Sequence, residues 1–389
     1  MNEASANDNR QPKRVLVRGV NWLGDAVMTT PALLRLRQAK PGAHISLLTH
    51  ENLADLWREH PALDSLLTFS SGESLPAVTA KIRAGKFQVG VAFPNSHRAA
   101  IELWLGRVPQ RVGYRSSWRS WLLTTRVERS SGFVRMHKRS VSEIQNLIRF
   151  SAPPFRHAPP PAAHQIHHYL RLVAALGANP QPVAPRVVVS DAEVETARNK
   201  FGLPGDRPLL GLNAGAEYGP AKRWPAERFA EAAVKIRERV SCRWAIFGSS
   251  SDVELTSKIA AEVTQRAPCT TRDAPINLAG RTSLRELCAL LKLCRVLLTN
   301  DTGPMHLAAA LGTPVVAIFG STSPDLTAPG LPGDSQHRLL SSDAACSPCY
   351  RRECPIDFRC MRGIAIEPVV GAVLDVLKQP RLTDSRAAL

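Results

Sequence analysis

Three short stretches of this 389-residue chain combine residue types that handle anions and protons. The first, TNDTGPMH, covers Thr299 to His306, where an apolar run ends and an Ala-rich helical pattern begins. Asp301 and Thr302 are both candidates for the helix N-cap, which places Gly303 and Pro304 in the first turn. First-turn N–H groups have no helical partner, so proline is tolerated there and glycine leaves those donors uncovered. Such donors, with the positive end of the helix dipole, make a phosphate site. His306, one turn further in, is placed to reach a phosphate or a sugar hydroxyl. The bland alternative stays open: Asp301 as an ordinary cap and His306 as a core histidine beside Met305 and Leu307.

The second stretch, NAGAEYGPAKRWP, runs from Asn213 to Pro225 between a strand pattern and an amphipathic helix. Asn213 and Gly215 open a small loop that lets a ligand approach the backbone. Lys222 as a point charge and Arg223 as a bidentate fork suit a diphosphate, unless both are simply solvated. The loop is not a Walker A sequence and G-x-G-x-x-G is absent, which supports neither a kinase nor a dehydrogenase. The third stretch, VRGVNWLGDAVMTTPAL, puts Gly24 in a tight turn and Asp25 at a helix start. Asp25 either caps that helix or, facing a bound diphosphate across an interdomain cleft, serves as a general base.

Cys346, Cys349, Cys354 and Cys360 form a fourth group, spaced C-x2-C-x4-C-x5-C. Zinc is the minority reading because the second pair lacks the tight C-x-x-C knuckle. Disulfides are also a minority reading in a cytosolic chain, leaving a structural loop made cationic by Arg351, Arg352, Arg359 and Arg362. Cys242, Cys269, Cys288 and Cys294 read as small core residues.

The elements that must hold these stretches alternate strand and helix. Arg14–Arg18, His44–Thr49, Leu63–Phe69 and Gln88–Phe93 read as strands, with Ala26–Ala39 as the first helix, kinked or restarted at Pro31. After the Pro-rich Ser151–Pro185, strands are expected at Leu209–Leu212, Arg243–Phe247, Ile276–Ala279, Arg295–Thr299 and Val315–Phe319. Helices are expected at His167–Leu176, Ala226–Arg239, Asp252–Arg266 and Ser283–Leu293. This rhythm predicts an α/β protein with parallel sheets covered on both faces. The expected division is a tail at 1–13, an N-terminal domain at 14–177, a linker at 178–186, a C-terminal domain at 187–378 and a tail at 379–389. The last helix is free in this scheme to pack back on the N-terminal domain.

Composition narrows the partners. The formal charge is +17 and the pI about 10.1, which favours nucleic acid, an anionic membrane surface or a polyanionic substrate. Arg111–Arg119 and Arg135–Arg139 read either as phosphate-contacting patches or as solvated surface. With no zinc-finger, RNA-recognition or helix-turn-helix signature, nucleic acid is not expected. No apolar run approaches a membrane span, and the N-terminus has no apolar central region of a secretory signal. The expected location is cytoplasmic.

Taken together, GAEYGPAKRWP, TNDTGPMHLAAALGTPVVAIFGSTSPD and LGDAVMTTPAL resemble the glycosyltransferase family that contains the ADP-heptose:lipopolysaccharide heptosyltransferases, glycosyltransferase family 9. The resemblance extends from about Arg14 to about Leu377, is weakest between Ser130 and Gln165, and is greatest to members that add the second inner-core heptose. It implies a GT-B fold, two Rossmann-like doubly wound domains facing across a cleft. It also implies an ADP-heptose donor held by the C-terminal, ADP-sugar-binding domain, a Kdo-lipid A-linked heptose acceptor received by the N-terminal, acceptor-binding domain, and a peripheral place at the inner face of the cytoplasmic membrane. Asp25 occupies the position of the family's catalytic base and Lys222 that of a phosphate contact, while Asp301, Thr302, Gly303 and His306 match the element around ADP. The implied reaction inverts the anomeric carbon and needs no metal or other cofactor, the lysine and the helix end standing where Mg²⁺ otherwise would. In one departure, Arg285 follows Ser283-Leu284 where relatives carry an acidic residue for the ribose. Glu286 comes one place later, rotated by about 100°. Two rivals remain: a relative acting on another acceptor, such as the first or third heptose, and a non-catalytic nucleotide-sugar or lipid-surface binding protein.

Overall fold

The computed structural model describes residues 13–150, 159–203, 205, 207–267 and 273–380. Cys269, most of the Pro-rich Ser151–Pro161 stretch and nearly all of both expected tails lie outside them. The chain divides into two compact units. One comprises the chain through Phe133 together with Ala162–Val188; the other comprises Val134–Pro161 and everything from Val189. Residues 134–161 therefore group with the second unit, where the sequence reading placed them in the first.

The first unit holds β1 (Arg14–Arg18), β2 (His44–His50), β3 (Ser65–Phe69), β4 (Val89–Ala92), β5 (Gln110–Tyr114) and β6 (Thr125–Val127). They form a sheet in the order β3-β2-β1-β4-β5-β6, parallel at every pairing. Its helices are α1 (Leu23–Ala39), α2 (Leu75–Ala84), α3 (His97–Leu105) and, after an excursion into the second unit through α4 (Val141–Phe150), α5 (Gln165–Ala174). β1 reads RVLVR without alternation because both faces of the sheet are covered: Val15, Leu16 and Val17 are fully buried.

Pro31 does not break α1, which runs unbroken from Leu23 to Ala39. The missing proline N–H would leave the Val27 carbonyl without its donor. The Thr30 hydroxyl donates to that oxygen instead, at 2.8 Å, and also accepts from the Arg186 N–H at 3.0 Å. The expected linker at 178–186 is thus tied to α1, also by Arg35 Nε donating to the Gln181 carbonyl at 2.9 Å.

The second unit holds β7 (Leu209–Asn213), β8 (Arg243–Phe247), β9 (Ile276–Asn277), β10 (Leu297–Asn300), β11 (Val315–Phe319) and β12 (Arg338–Ser341). Their order is β12-β11-β10-β7-β8-β9, again parallel throughout. In chain order this repeats the first sheet's topology: the first strand of each unit sits at the centre, between the second and the fourth. The remaining helices are α6 (Asp191–Lys200), α7 (Ala226–Arg239), α8 (Val253–Arg266), α9 (Leu284–Leu293), α10 (Gly303–Ala310), α11 (Pro324–Thr327), α12 (Arg359–Arg362) and α13 (Ile366–Lys378). α13 packs on α7 within the second unit, burying Val369, Val370, Val373 and Val376 in its main core.

Candidate active site

In doubly wound sheets ligands bind beyond the carboxyl ends of the strands, where the strand order reverses. That point lies between β7 and β10 in the second unit. The loops leaving those two strands lie within two of the stretches singled out above, Asn213–Pro225 and Thr299–His306.

The two loops are cross-braced. Asn300 accepts from the Trp224 N–H at 3.0 Å and donates to the Ala214 carbonyl at 2.7 Å. Trp224 is buried and its indole N–H donates to the Ile364 carbonyl at 3.1 Å, so it anchors the loop that carries Lys222. Lys222 Nζ lies 2.6 Å from Asp301 Oδ2 and 3.4 Å from the Asp301 carbonyl. Those contacts leave one of its three N–H groups for a ligand. Asp301 is buried and its carboxylate also accepts from the Thr322 hydroxyl at 2.6 Å. Burial opposes its charge, but the Lys222 ammonium, the Thr322 hydroxyl and His306 together hold the carboxyl below its ordinary range.

Neither expected cap side chain caps α10. Thr302 occupies the N-cap position without a side-chain bond to the helix, and Asp301 is committed to Lys222. The first turn, Gly303-Pro304, holds no acidic residue. His306 is buried in the turn beyond.

A cavity of about 240 Å³ opens beside this helix end, at the carboxyl ends of β7 and β8. Asn213, Gly215 and Thr302 belong to its wall; Lys222, Arg223, Asp301, Gly303 and His306 are not among its lining residues. Asp252 lines it too, a residue that sequence reasoning missed although S-S-S-D at 249–252 spells a capping box. A Cβ on Gly215 would lie 2.5 Å from Asp252 Oδ2, so the carboxylate's position demands glycine there. Arg223 Nη2 lies 3.3 Å from Asp252 Oδ1, so the arginine meets a carboxylate and is not simply solvated.

The departure at Arg285 also has a structural account. Arg285 is buried and its guanidinium grips Glu193 of α6 at 2.8 and 2.5 Å. Glu286 closes the capping box of α9 and pairs with Lys200 at 2.5 Å. The cavity wall takes Ser283, Leu284 and Leu287 from this helix and neither charged residue.

In the first unit the corresponding reversal lies between β1 and β4, and the loop after β1 leads to Asp25. Arg18, buried at the end of β1, pairs with buried Glu102 at 2.8 Å and holds Asn21 Oδ1 at 3.0 Å, which fixes that loop. Trp22, not Asp25, is the N-cap of α1; Asp25 stands in the first turn, half-buried. Its carboxyl hydrogen-bonds the phenol of Tyr169 on α5. Tyr169 is 3% exposed, accepts from Gln165 Nε2 at 3.3 Å and packs on Phe93 with ring centroids 5.4 Å apart. Burial first, and then the Asp25 charge, raise the phenol far above its usual titration range, so it stays a donor.

The four spaced cysteines form no metal cage: among the described residues no group of three or more His, Cys, Asp or Glu side chains is placed to hold an ion. Cys346 and Cys349 pack with Ile144 in an apolar cluster, and Cys360 joins the main core of the unit. Burial pushes the Cys360 thiol up to about 12. The arginine patches also differ from expectation. Arg119 is buried and donates to the Tyr114 carbonyl at 2.8 Å, Arg111 to the Leu122 and Val108 carbonyls at 2.6 and 2.7 Å, and Arg139 to the Cys346 carbonyl at 3.1 Å. These three brace loops.

Residues 149–358 match the family model described as glycosyltransferase family 9 (heptosyltransferase). The chain is 29% identical to lipopolysaccharide heptosyltransferase 2 of Escherichia coli K12 over 331 residues, covering 81% of this chain and 85% of that protein. It is 30% identical to the Salmonella typhimurium protein of the same name over 324 residues, with the same coverages. The solved structure of E. coli ADP-heptose lipopolysaccharide heptosyltransferase II superposes with a TM-score of 0.73 at 25% identity, covering 94% of this chain and 98% of that one. A glycosyl transferase family 9 structure from Veillonella parvula superposes with a TM-score of 0.72 at 23% identity, covering 94% and 97%. With two six-stranded parallel sheets of matching order and these likenesses, the chain belongs to glycosyltransferase family 9, the heptosyltransferases.

Proposed function

We propose that this enzyme moves L-glycero-D-manno-heptose from ADP-heptose onto the inner-core heptose of a Kdo-lipid A acceptor, with inversion at the anomeric carbon. The observation that carries the reading is the assembly at the second switch point: the Lys222 ammonium, held by buried Asp301, beside an α10 first turn with no acidic residue. An ammonium and a free helix end in one place suit a diphosphate.

In the reacting complex an acceptor hydroxyl oxygen attacks the anomeric carbon. The bond from that carbon to the β-phosphate oxygen breaks, and its electron pair leaves with ADP. Asp25 takes the hydroxyl proton, and Tyr169, donating to the Asp25 carboxylate, holds it in one orientation. Lys222 and the N–H groups around Thr302 and Gly303 stabilise the charge growing on ADP. Fixed donors aimed at developing charge are usually the largest catalytic contribution. Asn213, Gly215 and Arg223 with Asp252 complete the donor side.

The acceptor is lipid-linked, which sets the enzyme at the inner face of the cytoplasmic membrane as a peripheral protein. Among the described residues no helix is long and apolar enough to cross a membrane. The test is transfer from ADP-heptose to Kdo₂-lipid A carrying one heptose, with the unheptosylated acceptor in parallel. Product on the heptosylated acceptor alone is the expected result. Product on the bare acceptor moves the chain to the first-heptose step, and product on neither removes the substrate assignment.

A further inference from the structure

Three indoles stand on the surface of the first unit: Trp118 is 78% exposed, Trp121 64% and Trp104 45%. They are neighbours. The Trp104 and Trp121 rings meet edge to face with centroids 5.7 Å apart, and the Trp121 N–H donates to the Trp118 carbonyl at 3.2 Å. The loop beneath them is fixed. Leu122 and Leu123 are buried against Ala100 of α3, Arg119 is clamped inward on the Tyr114 carbonyl, and Arg126 Nε donates to the Ser120 carbonyl at 2.9 Å. The braced loop presents these rings to solvent. Contiguous exposed apolar surface marks an interaction site where scattered exposed residues do not.

Charge indicates the partner. Between Arg98 and Arg126 the sequence carries six arginines and a single carboxylate, Glu102. Glu102 is fully buried between Arg18 and Arg98. Arg98, Arg107, Arg115 and Arg126 are exposed; Arg115 meets Glu128 at 2.8 Å. Indoles, with an apolar body and one N–H, settle at the headgroup level of a bilayer, and guanidinium groups fork onto phosphate oxygens. A second copy of this chain fits poorly, because a two-fold contact would set arginines against arginines.

We propose that the surface formed by Trp104, Trp118 and Trp121 docks on an anionic phospholipid bilayer, with the indoles among the headgroups and Arg107, Arg115 and Arg126 on lipid phosphates. The inference deepens the lipid-linked acceptor reading above and rests on it for the source of the bilayer.

The full chain is sedimented with phosphatidylcholine vesicles with and without phosphatidylglycerol. The expected result is binding that needs phosphatidylglycerol, weakens with salt, and moves the indole emission to the blue. Trp118→Ala/Trp121→Ala weakens it at least about tenfold, and Arg126→Ala about fivefold. Quenching of wild-type indole emission by brominated phospholipid gives the same answer without a variant. Binding by the double variant equal to wild type, or no binding to anionic vesicles, overturns the proposal. So does a wild-type dimer in vesicle-free sedimentation velocity that the double variant loses. Transfer to a deacylated, water-soluble acceptor separates the two readings: the double variant should match wild type there. A selective loss in that assay makes the surface an acceptor site and overturns the docking role. Vesicle binding by a wild type that transfers no heptose leaves the docking surface standing and defeats the proposed reaction.

Discussion

The two sheets share one strand order, yet their switch points are chemical opposites. In each unit a helix begins beyond the central strands with free N–H groups in its first turn. In α1 that turn contains Asp25, so the protein's own carboxylate answers the helix dipole. In α10 the turn is Gly303-Pro304, no acid is present, and the N-cap side chain makes no bond to the helix. Asp301, just before the helix, binds Lys222. The fold supplies the same electropositive helix end twice; the residues in its first turn decide whether it receives an anion or holds a carboxylate in place. In the proposed reaction one unit takes the proton and the other accepts the leaving diphosphate.

Breaking the first half of that contrast should have the largest effect. Asp25→Asn keeps size and hydrogen bonding but removes the base, and kcat should fall roughly 10²- to 10⁴-fold. ADP release under saturating acceptor measures it, with ADP affinity unchanged as the control; a loss within about threefold would defeat the base assignment. Breaking the second half comes next. Lys222→Met should lower kcat by roughly 10²- to 10³-fold, the range for removing one fixed donor to developing charge. It also strands buried Asp301, which should cost about 3–5 kcal/mol of stability. Adding Asp301→Asn should restore the melting temperature and leave turnover low, which separates the folding role of the pair from its chemical one.

A third change makes the two helix ends alike. Gly303→Asp puts into α10 the first-turn carboxylate that α1 already has. Helix stability should hold, since an acid is favourable there. ADP affinity, read by calorimetry, should fall roughly 10- to 100-fold from like-charge repulsion. Unchanged affinity would mean that the diphosphate does not use this helix end.

Much of this contrast was legible from local sequence. Asp25, Lys222 and the Asp301–His306 element lie on loops whose flanking strands and helices are spelled by short apolar runs, and the structure places the second-unit residues at one switch point. What local reading missed was set by distant packing. β5, β6 and β12 are short strands mixing polar and apolar residues, defined by their neighbours in the sheet more than by their own pattern. Pro31 looked like a break because the Thr30 hydroxyl that repairs the ladder is invisible to a propensity rule. Asp301 looked like a cap because nothing local says that Lys222, 79 positions earlier, will claim it. Arg111 and Arg119 counted as surface charge because composition cannot tell a guanidinium facing solvent from one folded onto backbone carbonyls.

Tyr169 is the clearest omission and gives the smallest expected effect. It lies on α5 in QIHHYLRLVA, a segment whose sequence reads only as an amphipathic helix. Its part in the proposed reaction follows from α5 packing on α1, which brings a buried phenol against Asp25. Because the Gln165 amide donates to the phenol oxygen, the phenol's own hydrogen is left for the carboxylate. Tyr169→Phe removes that donor and keeps the ring that packs on Phe93. A hydrogen bond to a charged group is worth about 1.5–3 kcal/mol. Part of that is recovered by water at a half-buried site, so kcat should fall roughly tenfold. The KM for ADP-heptose should not move, because the proposed donor site lies in the other unit. A carboxylate deprived of its donor is also harder to keep ionised, so the acid limb of the kcat–pH profile should move to higher pH. A purely structural tyrosine would lower the melting temperature and leave that limb where it was.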